Sequence, residues 1–96
     1  MNSKEKKLQS QIIKYLQSKG AYVVKVVVAS HSTLDLIVCY KGKFIAIEVK
    51  GDSKVSQLQL YNITQIQKAG GIAIVATELS QVVELLQVID LLENKE

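Results

Sequence analysis

The chain has no arginine, no tryptophan, one histidine and one cysteine among its 96 residues. Each absence excludes something. All twelve basic residues are lysine, so the bidentate guanidinium fork that reads guanine edges is missing, and backbone or shape recognition of a nucleic acid is favoured over sequence-specific reading of the major groove. The lone Cys39 has no partner for an internal disulfide, and its place in an apolar run predicts a small buried residue. His31 has no second imidazole or thiolate at zinc-ligand spacing, which leaves an exposed loop histidine, one that could touch a phosphate. No apolar stretch reaches the ~20 residues of a membrane span, since Lys25 interrupts the Val-rich segment, and the charged N-terminus has no apolar signal core behind it. A cytoplasmic protein is expected.

With 48% hydrophobic residues, the length suits one domain with one modest core, residues 1–96. Self-association is a reasonable expectation at this size. The charge is uneven. Residues 1–54 carry ten lysines against Glu5, Asp35, Glu48 and Asp52, a balance of +6, whereas residues 55–96 carry Lys68 and Lys95 against five acids, a balance of −3. The first half would attract a polyanion.

Leu34 to Lys50 contains two runs rich in β-branched and aromatic residues, separated by Lys41-Gly42. This reads as a β-hairpin. If the turn closes on those two residues, Tyr40 faces Lys43 and, counting outward, Asp35 faces Glu48. Facing side chains have Cβ atoms roughly 4.5–5.5 Å apart, so two carboxylates there can share a cation. Alternation sends Glu48 and Lys50 to one face and Ile45, Ile47 and Val49 to the other. Asp35, Glu48 and Lys50 thereby converge as metal-assisted chemistry requires; the plainer reading of the trio is an ion pair on a solvated face.

Around the hairpin, Ser3 to Lys19 has helical spacing at Leu8, Ile12, Tyr15 and Leu16, and Gly20 ends it. Glu5 continues that stripe and faces either the site or, with Asn2, the helix cap; Gln9 shares the face. Tyr22 to Val28 reads as a strand and Ala29 to Thr33 as a loop. After the hairpin, Gly51 to Lys54 reads as a loop, and Ser53 to Ala69 as a helix whose inward stripe holds Val55, Leu58 or Gln59, Asn62 or Ile63, and Ile66, stopping at Gly70-Gly71. Ile72 to Ala76 is a short strand, placed parallel to the Phe44 strand by a right-handed crossover. Ser80 is expected to cap a last helix carrying Val82, Leu85, Leu86, Ile89 and Leu92, which closes the core or supplies a dimer contact, with a frayed tail from Glu93.

An Asp followed by Glu-x-Lys on the next strand resembles the PD-(D/E)XK nuclease superfamily. More narrowly, Glu5-x-x-Leu8-Gln9, Leu34-Asp35-Leu36-Ile37, Ile45-Ala46-Ile47-Glu48-Val49-Lys50, Ser56-x-x-Gln59 and Gly70-Gly71-Ile72-Ala73 resemble the virus-type replication-repair nuclease (VRR-NUC) domain, from about Glu5 to Thr77. The chain departs from that family where Ser32-Thr33-Leu34 stands in place of Gly-x-Pro before the Asp.

The resemblance implies an α/β, restriction-endonuclease-like core in the order αβββαβ plus a C-terminal helix, with a mixed four-stranded sheet. It implies that Asp35, Glu48 and the Val49 carbonyl bind Mg²⁺ or Mn²⁺, that Lys50 assists the attacking water, and that Gln59 and Glu5 belong to the catalytic set, Glu5 as a further candidate ligand. Lys4, Lys7, Lys41, Lys54 and His31 are candidate DNA contacts. The implied activity is Mg²⁺-dependent endonuclease action on branched DNA such as a Holliday junction, by a homodimer of phage, prophage or bacterial origin. Its rivals are a nucleic-acid-binding module of the same fold without catalysis, and a small dimeric scaffold.

Overall fold

The computed structural model describes residues 2–27, 34–51 and 54–94. Val28, the loop with His31, and Asp52-Ser53 lie outside the described residues. The elements run α1 (Ser3–Ser18), β1 (Tyr22–Lys25), β2 (Leu36–Tyr40), β3 (Lys43–Val49), α2 (Gln57–Lys68), β4 (Ile72–Ala76) and α3 (Leu79–Glu93). One four-stranded sheet has the order β1-β2-β3-β4; its first two pairings are antiparallel and the last is parallel.

The hairpin register is the expected one. Tyr40 pairs with Lys43 and Leu36 with Ile47, because Lys41 and Gly42 both take positive φ, 49° and 78°, the geometry of a two-residue turn matched to strand twist. Beyond the turn, Tyr40 Oη donates to Asp90 Oδ1 at 2.7 Å and Lys41 Nζ meets the same oxygen at 2.7 Å. Lys43 Nζ lies 3.5 Å from Glu93 Oε1. The hairpin tip thus holds the end of α3, and the helix reaches Glu93 where a frayed tail was expected.

Strand alternation divides the core. Ile45, Ile47 and Val49 pack with Leu36 and Val38 against Leu8, Ile12 and Leu16 of α1 and Val82, Leu86 and Ile89 of α3. On the other face Ala46 and Ala73 pack with Leu34 under Ile63 and Ile66 of α2. Three layers result, α1 and α3 on one side of the sheet and α2 on the other.

Several boundaries differ from expectation. α2 begins at Gln57, not Ser53, because Ser56 caps it. α3 is entered from Glu78 rather than Ser80, with Gln81 Oε1 accepting from the Thr77 and Glu78 amides at 2.6 and 3.0 Å. Leu92 is exposed and Leu85 only partly buried.

Cys39 is exposed, not buried. It lies on the α2 face of β2 between Tyr22 and Phe44. α2 packs on the β3–β4 half of the sheet, which leaves Tyr22 70% and Phe44 47% exposed.

Gly70 closes α2 with φ 94°, and the Gly71 amide returns to Ile66 O at 2.9 Å, a six-to-one closure at the C-terminus. A Cβ on Gly71 would stand 2.9 Å from Ile66 Cγ2 and 3.0 Å from Phe44 Cδ1. Phe44 can turn aside, but a β-branched helical side chain cannot readily do so. Gly71→Ala should therefore lower stability by about 1–3 kcal/mol in urea unfolding, and an unchanged midpoint would refute that packing.

Candidate active site

Strand β2 ends before β3 does. Past Leu36 the edge of β3 would expose its amides, and acidic side chains meet them instead. Asp35 Oδ2 accepts from Val49 N at 2.7 Å, and Glu5 Oε2 accepts from Gly51 N at 2.9 Å. Between these two, Lys50 N turns the other way to Ala76 O of β4 at 3.0 Å.

Asp35 stands one residue beyond the Leu36–Ile47 pair, opposite Glu48. Its own carbonyl accepts from Val26 N on the β1 side at 2.9 Å. That makes the Asp35–Glu48 position a non-hydrogen-bonded rung, where facing side chains come closest.

Glu48 is 3% exposed. Its Oε2 accepts from Gln59 Nε2 at 2.8 Å and meets Lys50 Nζ at 3.4 Å. Its Oε1 is buried with no hydrogen-bond partner. Burial, followed by the neighbouring Asp35 charge, raises its pKa from 4.5 to about 7, and Lys50 and Gln59 only partly oppose this.

Gln59 reaches Glu48 through the start of α2. Ser56 Oγ accepts from Gln59 N at 3.1 Å, and Gln59 Oε1 accepts from Ser56 N at 3.0 Å, the reciprocal bonds of a capping box. The amide's other end is left to donate to Glu48. Ser-x-x-Gln is legible in the sequence as a helix start; only the fold shows where its amide points.

The structure brings Asp35, Glu48, Lys50 and Gln59 together, with Glu5 and Gly51 adjoining. Asn2 Oδ1 caps the Glu5 amide at 2.8 Å while the Glu5 carboxylate, 7% exposed, is bonded to Gly51. A Cβ at Gly51 would press on the Glu5 side chain, 3.2 Å from its Cγ, and meet Lys4 Cδ at an ordinary contact distance of 3.6 Å. Gln9, one turn along α1, is also buried. Lys7 and Lys54 are exposed. Lys41 is at the opposite end of the hairpin, bound to Asp90, so it does not adjoin the carboxylates; His31 lies outside the described residues. Among the described residues no three Asp, Glu, His or Cys side chains cluster closely enough to hold a metal ion. Glu5 therefore does not form a ligand trio with Asp35 and Glu48.

An α/β sandwich with a mixed four-stranded sheet and acids at the end of its central hairpin is a restriction-endonuclease-like fold. A solved structure described as a VRR_NUC domain has the same architecture: TM-score 0.76, covering 90% of this chain and 97% of that one, with 24% identity. The fold of this protein is that of a VRR_NUC domain. The sequence matches no protein-family model and no curated protein.

Proposed function

We propose that residues 1–96 form one metal-dependent nuclease domain of the PD-(D/E)XK type that hydrolyses phosphodiesters in DNA. The carrying observation is Glu48 Oε1, a buried carboxylate oxygen with no partner, beside Asp35. An unpaired buried acceptor is costly unless a ligand meets it.

The donor set fits a hard divalent cation. Asp35 and Glu48 supply carboxylates, and an extended residue directs its N–H and C=O to the same edge, so the Val49 carbonyl faces the Asp35 side. One or two carboxylates, a carbonyl and retained waters suit Mg²⁺ or Mn²⁺ better than zinc. When bound, such an ion polarises the scissile phosphate and lowers the pKa of a coordinated water.

The chain's own groups do the rest. Lys50, held 3.4 Å from Glu48 Oε2, offers an ammonium to the attacking water and to the charge that grows on phosphate oxygens. Asp35 and Glu5, by anchoring the amides on either side of Lys50, fix the backbone from which that ammonium reaches.

For the substrate we infer branched or otherwise structured DNA, supported by the VRR-NUC resemblance and by the lysine-rich first half; Lys4, beside Gly51, and the exposed Lys7 and Lys54 are the candidate contacts. We infer a homodimer from the apolar side chains left exposed on two helices, Leu58, Leu60 and Tyr61 of α2 and Val88, Leu91 and Leu92 of α3. No helix among the described residues is long and apolar enough to cross a membrane.

The test is incubation of the protein with a labelled four-way junction and a linear duplex, with Mg²⁺ or with EDTA, alongside Glu48→Ala. Mg²⁺-dependent nicking of the junction, absent in the variant, is expected. Salt-sensitive binding without cleavage would instead favour a binding module that lacks catalysis.

A further inference from the structure

The capping box of α2 and the carboxylate of Glu48 are joined by one side chain. Gln59 accepts from the Ser56 amide through Oε1 and donates to Glu48 through Nε2. An amide has two ends of opposite polarity, and rotating it by half a turn would set its oxygen against a carboxylate oxygen. Ser56 thus bears on which end Glu48 meets. Its hydroxyl fixes the Gln59 backbone amide, and its own N–H engages the Gln59 oxygen.

The consequence reaches Glu48. Gln59 and Lys50 both approach Oε2, and Oε1 is the oxygen left over. The buried carboxylate is held in one orientation, with a donor-rich oxygen, Oε2, toward Gln59 and Lys50 and the other, Oε1, buried without a partner.

We propose that Ser56, acting through Gln59, is a positioning residue that sets which oxygen of Glu48 is presented to the metal. This rests on the nuclease reading above, but concerns a residue that touches neither metal nor substrate. Groups that orient metal ligands from behind typically contribute 10–100-fold in metal affinity. Ser56→Ala removes the hydroxyl that holds the Gln59 backbone N–H and so loosens the first turn of α2; the Ser56 N–H that engages Gln59 Oε1 remains but is no longer fixed in place against it. Thr is also a capping residue, so Ser56→Thr keeps the box.

The experiment is Mn²⁺ binding by isothermal titration calorimetry on the intact chain, with thermal unfolding measured in parallel. Ser56→Ala should weaken Mn²⁺ about tenfold, Ser56→Thr should restore it, and Ser56→Ala added to Gln59→Ala should give no further loss, because the two act as one unit. Tyr40→Phe, which removes a hydrogen bond at the far end of the hairpin, controls for destabilisation and should leave Mn²⁺ affinity unchanged. Ser56→Ala that lowers the melting temperature without altering Mn²⁺ affinity would reduce the box to a helix cap, and equal losses with and without Gln59 would break the linkage. A wild-type chain that binds no Mn²⁺ would overturn the metal reading itself, and this inference with it.

Discussion

Replacing Glu48 with glutamine is expected to stabilise the metal-free protein by on the order of 3 kcal/mol at about pH 8, and at the same time to abolish cleavage. The carboxyl titrates at about 7 in the folded chain against 4.5 ordinarily. Between those values the folded state holds a proton that the unfolded chain has released. Stability is thus highest at and below the ordinary value and falls as pH rises through the window, with the full cost present above about 7. A tenfold difference in proton affinity between folded and unfolded chain corresponds to about 1.4 kcal/mol. Glutamine has nearly the same shape and cannot ionise, so the pH dependence should largely vanish with the charge. Urea unfolding at about pH 5 and pH 8, in EDTA, checks this: wild type should lose stability between the two and Glu48→Gln should not. A wild-type protein equally stable at both would show that Glu48 is not held in a charge-averse site.

Mn²⁺ should oppose that loss. A ligand that binds only the folded chain stabilises it in proportion to the logarithm of its concentration over Kd, and it binds carboxylates best when they are ionised. The wild-type melting temperature should therefore rise with Mn²⁺ at about pH 8 and hardly at pH 5. Glu48→Gln should show neither rise. The buried acid destabilises the metal-free fold by the same property that would suit it to the proposed metal, a burden characteristic of functional sites.

The hairpin was legible because a strand has a period of two and its turn has two residues. Once Lys41-Gly42 closes, the pairing of every residue from Tyr40 back to Leu36 follows, and the faces of Asp35, Glu48 and Lys50 with it. What was not legible depended on distances along the chain that no local pattern encodes. Glu5 could be read as cap or as site, and the deciding group is Gly51, far along the sequence. Cys39 sits in a run that reads as buried, but its exposure depends on how little of the sheet a twelve-residue α2 covers. Lys41 reads in the sequence as a candidate DNA contact, and its partner Asp90 comes from the last helix. The start of α2 lies four residues past the expected Ser53 because Ser56 has the Gln three positions later that completes a capping box.

Asp35 separates structure from chemistry more cleanly than any other position, since its two duties can be removed one at a time. Asp35→Asn keeps an oxygen able to accept from Val49 N, now 2.7 Å away, but loses the charge. Its melting temperature should stay near that of wild type or rise at neutral pH, because the Asp35 charge is one of the two forces that raise the Glu48 pKa. The pH window of the Glu48 effect should narrow accordingly. Mn²⁺ affinity and cleavage should nevertheless fall by about 100-fold or more, as one of the two proposed charged ligands is gone. Asp35→Ala removes the acceptor too, and the amide of Val49, a residue 1% exposed, is left unpaired at a cost of about 1–3 kcal/mol. The alanine variant should be as inactive as the asparagine variant, and less stable. If both variants bound Mn²⁺ as wild type does, the cation would have to be held elsewhere, and the hairpin acids would be no more than a means of finishing the edge of a sheet.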